Sequence, residues 1–404
     1  MQNKNKNEKQ TYHLLQMVKG KDIPIHLAII ALMIYGLLMI GSASLGRSVN
    51  NSSYLIITMG KQFAFLLIGY LMMAILSRKF SLKWLKSQSF PGFMIIMEVL
   101  LLMCLIFREA GGAKAWIRIP LGPAEVTIQP SEFVKVASIL ILAAYVGDVR
   151  KRYDKPCRQI LGRPLLFIAT YVFTIIFLQS DFGSAAIVFG ITCVCLLIPR
   201  NKQLSKFQKY ERILFWAVLL LAVFALSPLG EAVILALPLK PYQKLRFTSA
   251  INPFEDRYGN SYQLVNGLIS FATGGLFGVG YGNSVRKYTD FPAANTDFIL
   301  SILVEELGFV GFLLLMFFYC VIMFRLFHFA RKMKSEKGRI ILVGTAMYFM
   351  IHIFLNVGGV TGLIPLTGIP LPLLSAGGSS AWAVLSCVGI SQAVIASYKR
   401  GEIE

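Results

Sequence analysis

The chain has 404 residues, of which 56% are hydrophobic and 15% charged, against about 45–50% and about 25% in an average soluble chain. The apolar excess lies in long runs such as Ile25 to Ser44, Gln62 to Leu76 and Pro91 to Phe107, near the ~20 residues that cross a bilayer as a helix, so a fully soluble fold is excluded. The formal charge of +20 suggests a nucleic-acid partner, but its distribution argues otherwise. With the N-terminus inside, the segments 1–24, 78–90, 148–163, 199–213, 324–339 and 397–404 hold 28 of the 40 Lys/Arg, and the outer segments hold 10. Basic residues concentrated in alternate short loops set membrane orientation.

In chain order, residues 1–24 read as a cytoplasmic basic tail, since the apolar run after them is too long for a cleavable leader. Spans are expected near 25–44, 58–77, 91–107, 130–147, 164–179, 182–198, 213–235, 296–323, 340–358 and 376–396. The expected fold is therefore all-α, with about ten transmembrane helices. Residues 25–396 would form the membrane domain and 397–404 a second cytoplasmic tail. Two outer loops are long, 108–129 and 236–295; the second joins spans seven and eight. Its apolar and aromatic content argues against disorder, and its Gln263 to Phe271 and Gly274 to Gly280 stretches are expected to fold back against the bilayer. Five of the six cysteines lie in spans and none in a long outer loop, so no disulfide framework is expected.

Charged groups inside spans are costly and are functional candidates by default. Lys61 opens the second span, where it can snorkel or face an anion. Glu98 lies mid-span without an evident partner. Glu132 and Lys135, three residues apart, share a helix face and can pair, either to lock helices or to meet a ligand. Asp297 follows the long outer loop at a helix start, as a base or as a cap shared with Thr296. Glu305 and Glu306 follow two turns later. Asp181-Phe-Gly183 matches a kinase metal motif and Gly278 to Gly282 a potassium-filter sequence. Neither has the surrounding elements those functions need.

Read together, the motifs resemble the SEDS family of FtsW, RodA and SpoVE over essentially the whole chain. They are Gly112-Ala-Lys-Ala-Trp116-Ile, Gln129-Pro-Ser-Glu132-Phe-Val-Lys135, Gln179-Ser-Asp181-Phe-Gly183, Asn252-Pro-Phe-Glu, Tyr262-Gln263, Gly274 to Ser284, Thr296-Asp297-Phe-Ile, Glu305-Glu306-Leu-Gly, and Thr367 to Pro372 with Gly377-Gly-Ser-Ser380. Gly282-Asn-Ser284 before Arg286-Lys287 is closer to FtsW and SpoVE than to RodA. Asn295, Ser180 and Ala376 depart from the family's usual His, Pro and Tyr, and the acidic residue usual after Pro292 is missing.

The resemblance implies a peptidoglycan glycosyltransferase of the bacterial cytoplasmic membrane, serving cell division or related wall synthesis. Its substrates would be lipid II and glycan on undecaprenyl diphosphate. Its partner would be a class B penicillin-binding protein, with other divisome or elongasome proteins. Asp297 matches the family's essential aspartate and Trp116 a functionally sensitive tryptophan. A glycosyl diphosphate needs a base on the attacking hydroxyl and cations on the leaving group. Asp297 is the expected base, and Lys61, Lys114, Lys135, Arg246, Arg286 and Lys287 form the pool of diphosphate ligands, with Glu132 beside Lys135 and Trp116 lining the site. No cofactor is certain; a divalent cation, Mg or Mn, could share the diphosphate. The competing readings are a lipid II flippase, which the intramembrane charges suit, and a non-catalytic division scaffold.

Overall fold

The structure, a computed structural model, describes residues 16–49, 52–109, 112–121, 124–147, 155–238, 241–289 and 291–404. Residues 1–15 of the basic tail and residues 110, 111, 122 and 123 of the outer loop 108–129 lie outside them. Helix α1 spans Ile23–Ser48, α2 Ser52–Lys79 and α3 Ser89–Met103. A hairpin follows, β1 Ile117–Leu121 against β2 Ala124–Ile128, antiparallel with Ile117 opposite Ile128. Next come α4 Pro130–Tyr145, α5 Cys157–Phe173 continuing into a π turn Thr174–Leu178, α6 Phe182–Leu196 and α7 Lys202–Ala225. Then α8 Pro228–Ala236, α9 Pro241–Ile251 and α10 Tyr262–Gly274 occupy the long loop, before α11 Ile299–Lys332, α12 Glu336–Val360 and α13 Gly378–Lys399.

Seven of these helices are long and apolar enough to cross a membrane alone: α1, α2, α3 with its last turn, α5 with its π turn, α11, α12 and α13. Helix α7 with α8 makes an eighth span, bent by 94°. Helices α4 and α6, of 16 and 15 residues, sit inside the bundle but fall short of that length, so seven or eight of the described helices meet it where about ten spans were expected. Nearly every side chain of α4 and α13 is buried, while α1, α2, α3 and α7 turn large apolar side chains outward. In lipid, a helix satisfies its own backbone groups, so apolar side chains on its outer face cost nothing.

One end of the bundle is fastened by Asp22. Its Oδ1 caps α1 by accepting from the Ile25 N–H at 3.2 Å and accepts from Arg325 Nε of α11 at 3.1 Å. Its backbone N–H donates to Gln392 Oε1 of α13 at 2.7 Å. Arg78, Lys79, Arg331, Lys332 and Lys399 end their helices at this side, in keeping with the charge alternation.

The opposite end departs from expectation in three places. Loop 108–129 folds its second half into the hairpin. The seventh span breaks where Ser227 turns extended (ψ 158) before Pro228, since a proline disfavours helical geometry in the residue before it. Helix α11 is also interrupted: Gly308 has φ 69 and ψ −168. Segment 275–280 fills that interruption as a strand would. Gly275 O and Leu276 O accept from the Phe309 and Val310 N–H groups at 2.9 and 3.1 Å, and the Val279 and Gly280 N–H groups donate to Glu305 O and Glu306 O at 2.9 Å each. A Cβ on Gly278 would lie 2.2 Å from Glu306 O, and one on Gly308 2.3 Å from Leu276 O. Both residues also sit at positive φ, so this contact admits only glycine at each.

Beneath the interruption two carboxylates are held in a buried polar cluster. Glu306 Oε1 pairs with Lys287 Nζ at 2.9 Å, both side chains fully buried, and accepts from Ser42 Oγ of α1 at 2.6 Å. Glu305 accepts from Ser284 Oγ at 2.6 Å and Ser270 Oγ at 3.1 Å. At Gly46, where a Cβ would stand 1.7 Å from Lys287 O, α1 lets this segment lie directly on it. Removing one member of a buried pair strands the other charge, at a cost of about 3–5 kcal/mol. Lys287→Met is therefore expected to lower the unfolding temperature in lipid nanodiscs, with Lys287→Met/Glu306→Gln recovering part of the loss. A single variant that melts with the wild type would contradict this role.

Candidate functional site

The outer end of α11 is preceded by Asn295-Thr296-Asp297. Helix α11 starts after an N-cap at Phe298 with no side-chain cap bond, so the Asp297 carboxylate does not serve as the cap. Its backbone is pinned from three sides. Asn356 Nδ2 of α12 donates to Asp297 O at 2.9 Å and to Ile369 O at 2.8 Å. Ser375 Oγ donates to Thr296 O at 2.7 Å, and the Ala376 N–H donates to Asn295 O at 2.9 Å. The loop between α12 and α13 thus lies over the turn, and a Cβ on Gly368 would stand 3.6 Å from Asp297 Oδ2. Asp297 is half-buried. Burial pushes its carboxyl up to about 6, against the opposing field of the Arg246 guanidinium. Desolvation outweighs the attraction of the guanidinium.

Beside Asn295 opens a cavity of about 200 Å³, lined by Ala43, Gly46 and Arg47 at the end of α1, Tyr54 of α2, Lys287, Tyr288 and Asn295 among others. The Arg47 side chain is exposed and adds a cation to the cavity. Sequence reasoning passed over Arg47 because it is one charge at the end of a long apolar helix, and Asn356 because an uncharged amide inside a span carries no periodic signal.

The other candidates are distributed as follows. Arg246, on α9, acts on Asp297 through its charge. Arg286 donates from Nη1 to Asn266 Oδ1 of α10 at 3.2 Å. Lys61 Nζ donates to Glu125 O of β2 at 2.8 Å, tying α2 to the hairpin. Lys114 is exposed, and its backbone N–H donates to Gln179 O at 2.9 Å. Trp116 is half-buried, one residue before β1.

Three of the expected residues, Lys287, Lys135 and Glu132, have their charges engaged by other groups of the chain. Lys287 spends its ammonium on Glu306, on Ser42 Oγ at 3.0 Å and on Gly282 O at 2.6 Å, although its stem lines the cavity. Lys135 Nζ pairs with Glu132 Oε1 at 2.8 Å, both buried. Tyr348 Oη donates to Glu132 Oε2 at 2.7 Å, and His352 Nε2 lies 3.2 Å from Lys135 Nζ. An ammonium only donates, so Nε2 accepts and Nδ1–H donates to Tyr348 O at 2.8 Å. Glu132 and Lys135 are thus a neutralised pair locking α4 to α12. Glu98 has a partner that the sequence hid, accepting from Thr174 Oγ1 at 2.6 Å.

Asp181 caps α6, accepting from the Ser184 N–H at 3.0 Å, and receives Gln129 Nε2 at 2.9 Å. This gives the kinase-like triplet a structural use. Among the described residues no three His, Cys, Asp or Glu side chains come together to hold a metal ion.

The chain resembles known proteins over nearly its whole length. It is 31% identical over 385 residues to the probable peptidoglycan glycosyltransferase FtsW of Coxiella burnetii, covering 94% of this chain and 96% of that protein. It is 35% identical over 300 residues to the stage V sporulation protein E of Bacillus subtilis, covering 74% and 76%. The fold superposes on a chain from a solved peptidoglycan synthase complex that coordinates polymerization and crosslinking, with TM-score 0.68, 26% identity and coverage of 94% and 98%. It also superposes on the rod shape determining protein RodA of Thermus thermophilus, with TM-score 0.62, 22% identity and coverage of 93% and 97%, a likeness of fold. A family model described as cell cycle protein, spanning FtsW, RodA and SpoVE, matches residues 24–400, and the chain belongs to that family.

Proposed function

We propose that this protein is a peptidoglycan glycosyltransferase that polymerises lipid II into glycan at the outer face of the bacterial cytoplasmic membrane, for division or related wall synthesis. The observation that carries this reading is the half-buried Asp297 carboxylate, free of capping duty and two residues from a cavity with a cation at its side. The relatives named as glycosyltransferases support the reaction class. In the reaction, Asp297 takes the proton of a GlcNAc 4-hydroxyl as that oxygen bonds the anomeric carbon of the donor. The bond from that carbon to the diphosphate breaks, and its electron pair leaves with undecaprenyl diphosphate. Diphosphate needs no protonating acid, so one carboxylate and nearby cations suffice. Arg47 and Arg246 are the cations best placed to offset the leaving charge. The apolar outer faces of the helices suit the polyprenyl tails. A class B penicillin-binding protein is the proposed partner, supplying crosslinking; the likeness to a synthase complex supports it.

The test is polymerisation of labelled lipid II by purified protein with its cognate transpeptidase. Wild type should make long glycan and Asp297→Asn, folded and complexed as well, none. A polymerising Asp297→Asn would remove Asp297 as the base. Absence of glycan from wild type, with lipid II crossing the bilayer instead, would replace this function with transport. Arg47→Ala is expected to raise KM for lipid II about tenfold or more, as loss of a charge-assisted contact does, with a smaller change in kcat. Unchanged KM would take Arg47 out of the substrate site.

A further inference from the structure

We infer that Asn356 is a positioning residue for the reaction: its side-chain amide clamps the backbone of Asp297 to the loop that passes over its carboxylate. The inference rests on Asp297 being the base. Asn356 is buried in α12, one turn before that helix ends. Both its N–H groups are used, one on Asp297 O and one on Ile369 O. Two carbonyl oxygens within 3 Å require the donor side of the amide to face them, which settles its orientation. Its Oδ1 is buried and accepts no hydrogen bond among the described residues, so these two donated bonds alone hold the group.

Each donated bond ends on a turn or connection rather than a helix interior. Asp297 O belongs to the turn that starts α11, and Ile369 O to the connection between α12 and α13. Without the clamp these two strands of chain meet through the Ser375 and Ala376 bonds, which hold Thr296 and Asn295 rather than Asp297. Among the described residues Asn356 is therefore the side chain that bonds the carbonyl of the proposed base itself, while Ser375 holds the carbonyl of the peptide before it.

Helix α12 keeps Asn356 in place. Tyr348, His352 and Asn356 are spaced by four residues and share one face. The first two, about 12 and about 6 Å down the axis from Asn356, are bonded to the buried Glu132–Lys135 pair of α4. The intramembrane charges thus anchor the helix that carries the clamp. Small displacements of a reacting group cost large factors in rate, so losing the clamp should appear in kcat.

The experiment compares wild type with Asn356→Ala and Asn356→Ser in complex with the transpeptidase. Serine keeps at most one of the two donated bonds. The expected result is a kcat lower by about tenfold or more with KM for lipid II within about twofold, the acid limb of the pH–rate profile, where the Asp297 carboxyl takes up its proton, moved from its wild-type position, and faster backbone hydrogen exchange in both 295–298 and 367–370. Unchanged exchange in either segment would overturn the clamp. So would an activity loss that merely tracks the folded fraction, with the acid limb unmoved, and so would failure of both variants to fold, which would make Asn356 a folding residue. A wild type that makes no glycan would remove the polymerase reading, and the exchange measurement would still decide the clamp.

Discussion

The outer half of this molecule depends on a backbone exchange between two stretches of chain, 275–280 and 305–310. A transmembrane helix that stops hydrogen-bonding to itself must find other partners, because lipid supplies none. Here α11 breaks at Gly308, and its freed amides and carbonyls are taken up by the segment leaving α10. That repair sets where the first turns of α11 lie, and therefore where Asp297 stands. It also brings the 284–288 turn onto α1 and fixes one wall of the cavity. Lys287 and Glu306 seal the same joint with charge.

The intramembrane charges have two distinct uses. Glu132 with Lys135, and Glu306 with Lys287, are paired and hydrogen-bonded to satisfaction, which is how buried charges are tolerated and how they fix one packing arrangement. Asp297 is different. It is half-buried and feels Arg246 through its field, and desolvation pushes its carboxyl up. A carboxyl raised in the folded state holds its proton more tightly there than in the unfolded chain. Its contribution to stability is complete below the ordinary aspartate range and is lost as pH rises through about 6. Activity as a base has the opposite requirement, so stability and catalysis pull against each other at this residue, as is common where a site is poised for chemistry.

The fold was legible in the sequence because a bilayer imposes a coarse rule: long apolar runs separated by basic loops pointed to an all-helical, polytopic membrane bundle. Features that depend on a few backbone torsions were not. The hairpin after Trp116 has strands of only five residues each, too short for alternation to stand out. The bend at Pro228 was signalled by Ser227-Pro228, but apolar residues on both sides hid it. The glycines at 274–280 looked like a loop of their own, since their partner, Gly308, lies some thirty residues away inside an apparently continuous span. Asp297 was readable as a lone carboxylate at a helix start. The pairing of Lys287 was hidden because its partner Glu306 lies nineteen residues on, across the interruption, where helical spacing gives no pairing signal. Arg47 and Asn356 become visible only once α1 and α12 are packed.

The most direct measurement of the central claim, that one carboxylate placed by burial at the outer mouth acts as the base, is the pH dependence of single-turnover glycan formation by the wild-type complex at saturating lipid II. The account predicts a rate level above neutrality that declines through about pH 6 and falls about tenfold per unit below it, as a single ionised group requires. A rate that stays level down to pH 4.5 in a complex that remains folded would contradict it.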